Sequence, residues 1–145
     1  MTQELLTFDQ IPVPSEWGSR TFTVGEETIK SWIDIIGDRH PLYVDAAAAK
    51  KAGYEGVLAP PGAWPLFILD AILKSIPGRP PGGVHARQEL EFGVPIRVGD
   101  VLTTTVRIAD KYLKRERRYV IQETTTTNQR GEVVLIGRMT SIWGK

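Results

Sequence analysis

The sequence predicts an α+β fold, an antiparallel sheet of about five strands wrapped around one long central helix. Helical periodicity fills the first half of the chain, and a period of two fills the second. Between them, Ala63–Ile76 is apolar nearly all round, with only Asp70, Lys74 and Ser75 polar, as a buried helix requires. Asp70 and Lys74 also have the i, i+4 spacing of an ion pair.

The elements follow in order. Arg20–Val24 has strand chemistry. Thr23 and Glu26 stand at capping-box spacing and open a helix. Its apolar face is Ile29, Trp32, Ile33 and Ile36, and Gly37 marks its end. Asp38–Val44 is irregular, because Pro41 drives His40 out of the α region. Asp45 caps a short helix, Ala46–Ala52, closed by Gly53. The turn-rich stretch Gly53–Gly62 feeds the apolar helix, and Pro77–Gly83 is a loop. Four strand-like runs complete the chain: Ala86–Phe92, 101–108, Arg118–Thr127 and Val133–Trp143. Gly99-Asp100, a charged hairpin over Asp110–Arg117, and Asn128–Gly131 separate the four. One helix cannot cover such a sheet and its edges, so a dimer joined edge to edge is expected.

Composition bounds the function. The chain has 145 residues, 41% of them hydrophobic and 24% charged, which is globular composition near the size of one domain. The domain is expected over residues 20–145, after a lead-in, 1–19, that wraps its outside. With no Cys, a disulfide framework, a thiolate metal site and a cysteine nucleophile are excluded. Lys plus Arg number 18 against 17 Asp plus Glu, so no basic field exists to hold nucleic acid. No apolar run is long enough to span a bilayer, and Met1–Gln10 lacks a signal-peptide pattern. A cytoplasmic protein is the expectation. No His, Asp or Glu cluster has metal-ligand spacing, and no Gly-rich stretch has a phosphate-loop pattern, so neither a metal nor a cofactor is expected. His85 reads as a rim residue at a strand start. Lys111, Lys114, Arg115, Arg117 and Arg118 make the hairpin basic, usually a solvated turn, alternatively a contact for phosphates or an acidic partner.

Three stretches carry a resemblance. They are Gly37-Asp38-Arg39-His40-Pro41-Leu42-Tyr43-Val44-Asp45, Gly53-Tyr54-Glu55-Gly56-Val57-Leu58-Ala59-Pro60-Pro61, and Glu89-Leu90-Glu91-Phe92-Gly93-Val94-Pro95-Ile96-Arg97-Val98-Gly99-Asp100-Val101-Leu102. Together they resemble the MaoC-like hotdog dehydratases, and in particular their N-terminal, FAS1-like half-domain. The likeness runs from Thr23 to Trp143. It implies a hotdog fold, an acyl-CoA or acyl-ACP substrate, and reversible addition of water across a 2-enoyl thioester.

That chemistry needs a base for the α-proton, an acid for the hydroxyl and donors for the enolate-like oxygen. Active members of the family read Gly-Asp-x-Asn-Pro-x-His, the Asp and His working as a pair. Here Asp38 stands at the Asp position, His40 replaces the Asn, and Tyr43 replaces the His. A phenol titrates near 10 and an imidazole near about 6.5, so Tyr43 is a poor base at neutral pH, although it can donate a hydrogen bond. The family's helix start supplies backbone N–H groups to the thioester oxygen. Its usual Gly is Pro61 here, which has no N–H, and Gly62 is the neighbouring substitute. The resemblance places the acyl group against Ala59, Pro60, Pro61, Gly62, Trp64 and Phe67. It also implies that the FAS1-like half is the weakly or non-catalytic member of a pair, completed by a catalytic MaoC-like hotdog subunit. Two alternatives stay open: a self-sufficient homodimer using Asp38 with His40, and a catalytically dead acyl-thioester binding module.

Overall fold

Alternation in the second half of the chain becomes a ladder. The computed structural model describes residues 4–145; the first three residues of the lead-in lie outside them. Five strands form one sheet in the order β1-β3-β4-β5-β2: β1 (Ser15–Thr23), β2 (Val84–Phe92), β3 (Val101–Lys114), β4 (Arg117–Thr127) and β5 (Val133–Ile142). All four pairings are antiparallel. Leu102, Thr104, Val106 and Ile108 of β3 are buried on one face, as their period of two requires.

Helices α1 (Glu26–Ile36), α2 (Pro41–Val44) and α3 (Ala46–Lys51) follow β1. A 3₁₀ turn, Pro61–Ala63, then leads into α4 (Pro65–Ser75). Helix α4 packs on β1, β3 and β4 and buries Phe67, Ile68, Ala71 and Ile72. The expected Asp70–Lys74 ion pair forms at 2.7 Å. This is the α+β hotdog arrangement.

Gly137 of β5 sets the depth at which the helix lies. A Cβ there would stand 2.6 Å from Thr124 Oγ1 and 3.3 Å from Ile68 Cδ1 of α4. The helix is not enclosed on every side. Leu66 and Leu69 are half-buried and Leu73 is 63% exposed.

Several local expectations are corrected. The Thr23–Glu26 capping box does not form. Thr23 is held in the ladder opposite Val101, so Gly25 becomes the N-cap and makes no side-chain cap bond. Strand β1 starts at Ser15 rather than Arg20, because Ser15 and Glu16 already pair with Ile108 and Arg107. The charged hairpin is mostly strand: β3 and β4 stay paired out to Lys114 and Arg117, and only Arg115 and Glu116 turn, at φ 49° and 63°. Nor does the described part of the lead-in only wrap the outside. Phe8 and Ile11 are buried in the core, and Lys111 Nζ donates to the carbonyls of Phe8, Asp9 and Ile11 at 2.9, 3.2 and 2.8 Å.

No helix among the described residues is long and apolar enough to cross a membrane. No group of three or more His, Cys, Asp and Glu placed to hold a metal occurs among them.

Candidate active site

The site is assembled where α1 ends and α4 begins. Gly37 takes the left-handed conformation, φ 76°, that terminates α1, and its N–H bonds the Ile33 carbonyl at 2.8 Å. The chain is thereby freed to run out through Asp38 and Arg39. His40 is extended, with ψ 138°, as the residue before a proline must be. Its ring then turns back: Leu42 N–H donates to His40 Nδ1 at 3.2 Å, which makes His40 the cap of α2. Pro41 fits the first turn of that helix, where no N–H is needed. The sequence predicts irregular chain here, because four residues are too few to show a period.

Two backbone bonds sew this loop to the start of α4. Leu58 N–H donates to Leu42 O at 2.9 Å, and Ala59 N–H donates to Ile96 O at 2.8 Å. Asp100, 3% exposed, anchors the connection before β3 from behind. It accepts the Arg97 N–H and the Gln129 side-chain amide, each at 2.9 Å. The Arg97 guanidinium in turn pairs with Glu55 in the stretch leading to Ala59. Arg97 and Asp100 were not singled out as site residues. Both stand in the third resembling stretch, and Asp100 also in the Gly99-Asp100 turn, but neither pattern marks an anchoring role.

The structure treats the proposed catalytic residues unequally. Asp38 and His40 are exposed and Tyr43 is half-buried. The His40 and Tyr43 rings lie 5.3 Å apart. Burial raises the Tyr43 phenol above its usual pKa, and the Asp38 carboxylate pushes it the same way. That coupling places the Asp38 charge within electrostatic reach of the phenol. In the neutral ring, Nδ1 accepts from Leu42, so the proton sits on Nε2. To act as a base, His40 would have to protonate Nδ1 and release its cap.

Among the acyl-binding candidates, Ala59, Pro60 and Phe67 line a narrow apolar crevice with Phe22, Leu66 and Ile96. The Phe22 and Phe67 rings stand 6.1 Å apart along it. Pro61 and Gly62 are exposed at the start of the 3₁₀ turn. Trp64 is half-buried against the core and does not line the crevice. Neither Pro60 nor Pro61 carries an N–H. The Ala63 and Trp64 N–H groups are used within the turn, whereas the Gly62 N–H makes none of the loop's backbone bonds.

Comparisons with known proteins give the chain's family and fold. Residues 13–136 match the family described as FAS1-like, dehydratase domain region. A UPF0336 protein of Saccharopolyspora erythraea is 33% identical over 130 residues, covering 83% of this chain and 81% of that relative. An (R)-specific enoyl-CoA hydratase of Rhodospirillum rubrum is 30% identical over 118 residues, covering 81% of this chain and 78% of the relative. Among solved structures, unliganded R-hydratase PhaJ1 from Pseudomonas aeruginosa superposes with a TM-score of 0.82 at 25% identity, over 99% of this chain and 90% of that one. The HadBC (3R-hydroxyacyl-ACP dehydratase) complex from Mycobacterium tuberculosis shares the fold, with a TM-score of 0.75 at 24% identity over 90% of this chain and 96% of that one.

Proposed function

The chain belongs to the FAS1-like dehydratase domain family, MaoC-like in fold, and from that premise we propose that it is the acyl-binding, weakly or non-catalytic subunit of an (R)-specific enoyl-thioester hydratase or 3-hydroxyacyl-thioester dehydratase. The observation that carries the reading is the state of Tyr43. It stands where the resemblance asks for an imidazole, and its phenol is pushed away from the ionised form that could take a proton. A second feature supports it: His40, the nearest substitute, has its acceptor nitrogen committed to α2. The helix start agrees, with prolines at 60 and 61 leaving Gly62 as the remaining free donor.

What the chain supplies in this role is a wall. Phe22, Phe67 and Ile96 give an apolar flank for the acyl tail, and in this reading Asp38, Tyr43 and Gly62 face the thioester. The missing base comes from a second hotdog subunit. Strand β2 is a sheet edge with Arg87, Glu89 and Glu91 exposed, the side on which such a subunit would continue the ladder.

The test is hydration of a 2-enoyl-CoA by the purified chain, alone and after co-expression with a MaoC-like subunit carrying the intact Gly-Asp-x-Asn-Pro-x-His pattern. The chain alone is expected to stay near the uncatalysed rate, and the pair to turn over. Robust turnover by the chain alone, abolished by His40→Ala, would overturn the assignment in favour of a self-sufficient homodimer.

A further inference from the structure

The open edge of β2 admits more than one neighbour, and its residues choose among them. Strand β2 pairs with β5 alone, so its other side is free. It carries neither Lys nor Pro, the residues that usually blunt such an edge. The irregularity between His85 and Arg87 lies toward one end, and Arg87–Phe92 pairs with β5 without a break.

On the outer face of the sheet, one row of side chains alternates in sign across all five strands. Glu16, Arg107, Glu123, Arg138 and Glu89 are successive partners in the ladder. Arg107 lies 3.8 Å from Glu16 and 3.6 Å from Glu123, and Arg138 lies 2.6 Å from Glu123 and 3.8 Å from Glu89. The row stops at the free edge on a carboxylate, so a further strand continues it by bringing a cation opposite Glu89. Gln88, next to Glu89, lies on the inner face. Its Nε2 is 3.8 Å from where a Cβ on Gly137 would stand, near Ile68 of α4. The amide is poorly used there. Nε2 donates to the adjoining Glu89 carbonyl at 3.3 Å, and Oε1 is buried with no hydrogen-bond partner among the described residues. A buried acceptor of this kind calls for a donor.

Two copies of one strand, joined antiparallel about a two-fold axis, set each residue opposite its mirror position across the axis. An axis through Gln88 satisfies both faces. Arg87 of each copy meets Glu89 of the other, which continues the alternation. The two Gln88 amides meet on the inner face, where each can give an N–H and take one. An axis through Arg87 or through Glu89 sets like charges against each other, and an axis through Leu90 sets Glu89 against Glu91. We propose that β2 selects a second copy of this chain, in the antiparallel register centred on Gln88, through the Arg87–Glu89 pairs and the Gln88 amide pair. This selection does not rest on the enzymatic reading. Its consequence does: a catalytic subunit that takes the same edge has to replace the second copy.

Sedimentation velocity on the full chain tests it, with neither substrate nor second subunit present, so that its failure and that of the proposed function are told apart. The wild-type chain is expected to dimerise as its concentration rises. Arg87→Glu and Glu89→Arg each set like charges across the axis and should weaken dimerisation about ten- to a hundredfold. An equimolar mixture of the two variants should recover near wild-type strength as a heterodimer, which also shows that both fold. Register is read by cysteine pairing, in a chain that has no Cys of its own. Gln88→Cys should link two copies under mild oxidation, whereas Glu91→Cys, whose copies stand roughly 20 Å apart in this register, should not. A wild-type chain that stays monomeric overturns the proposal and leaves the edge to an unlike partner. So does a dimer indifferent to both single reversals, or one that links through Glu91→Cys and not through Gln88→Cys.

Discussion

Replacing Tyr43 by His should convert a wall into a working surface. At pH 7 a phenol with a pKa near 10 is ionised in about one molecule in a thousand. Burial and Asp38 both push Tyr43 further from ionisation. An imidazole with a pKa near 6.5 is about three-quarters free base at the same pH, so the pool of base rises by about three orders of magnitude. The backbone that would hold it is already fixed. Tyr43 N–H bonds His40 O at 2.9 Å, and Leu58 N–H ties the preceding residue at 2.9 Å. The Asp38 carboxylate, whose charge already acts on Tyr43, would favour the imidazolium once it forms. General-base catalysis is worth about 10²–10⁴ in rate, so Tyr43→His should raise kcat/KM for enoyl-CoA hydration by the isolated chain by about a hundredfold or more. Adding Pro61→Gly restores an amide at the helix start, and one oxyanion donor is worth about 3 kcal/mol. The assay follows loss of the conjugated enoyl absorbance, with circular dichroism confirming the fold of each variant. A folded Tyr43→His chain that stays at the wild-type floor, with and without Pro61→Gly, refutes the reasoning.

Three further outcomes are expected. Lys111→Met leaves the carbonyls of Phe8, Asp9 and Ile11 without their donor and should lower stability by about 1–3 kcal/mol in urea unfolding, with faster amide exchange around Phe8 and Ile11. Asp100→Ala orphans the Arg97 N–H and the Gln129 amide and should lower stability by about 3 kcal/mol, measured in the same way. Because the folded chain holds the Tyr43 proton more tightly than the unfolded chain, its contribution to stability is complete below about pH 10 and is lost as pH rises through the higher folded value; Tyr43→Phe should flatten that alkaline limb in a denaturation series.

Much of the fold was legible because hydrophobic period carries it. Ile29 and Ile33 of α1 are buried at helical spacing, and Leu102, Thr104, Val106 and Ile108 of β3 are buried at strand spacing. What escaped the sequence depends on partners far along the chain. Phe8 and Ile11 have no period between them, and their burial relies on Lys111, 100 residues beyond Ile11. The Thr23–Glu26 box was locally sound and lost to the ladder that claimed Thr23. At the site, the chemical identities of Asp38, His40 and Tyr43 could be read directly, but the commitment of His40 Nδ1 to α2 could not. A histidine before Pro-Leu-Tyr has the same letters whether its ring caps a helix or faces a substrate. The contact of Arg79 with the Trp143 ring was invisible for a related reason, since a loop of prolines and glycines gives no sign of which residue will come to rest on Trp143.

The bare position at Gly137 governs headroom. Ile68 descends almost onto the strand there, with Thr124 beside it, so ceiling and floor meet beneath the middle of the rod. What gap remains beside the rod is the narrow crevice on the flank along Phe22 and Ile96. A single added methyl would act as a shim, lifting the rod and trading firmness of seating for clearance below. Clearance in this scaffold can thus be tuned from underneath, by a residue that lines none of the crevice.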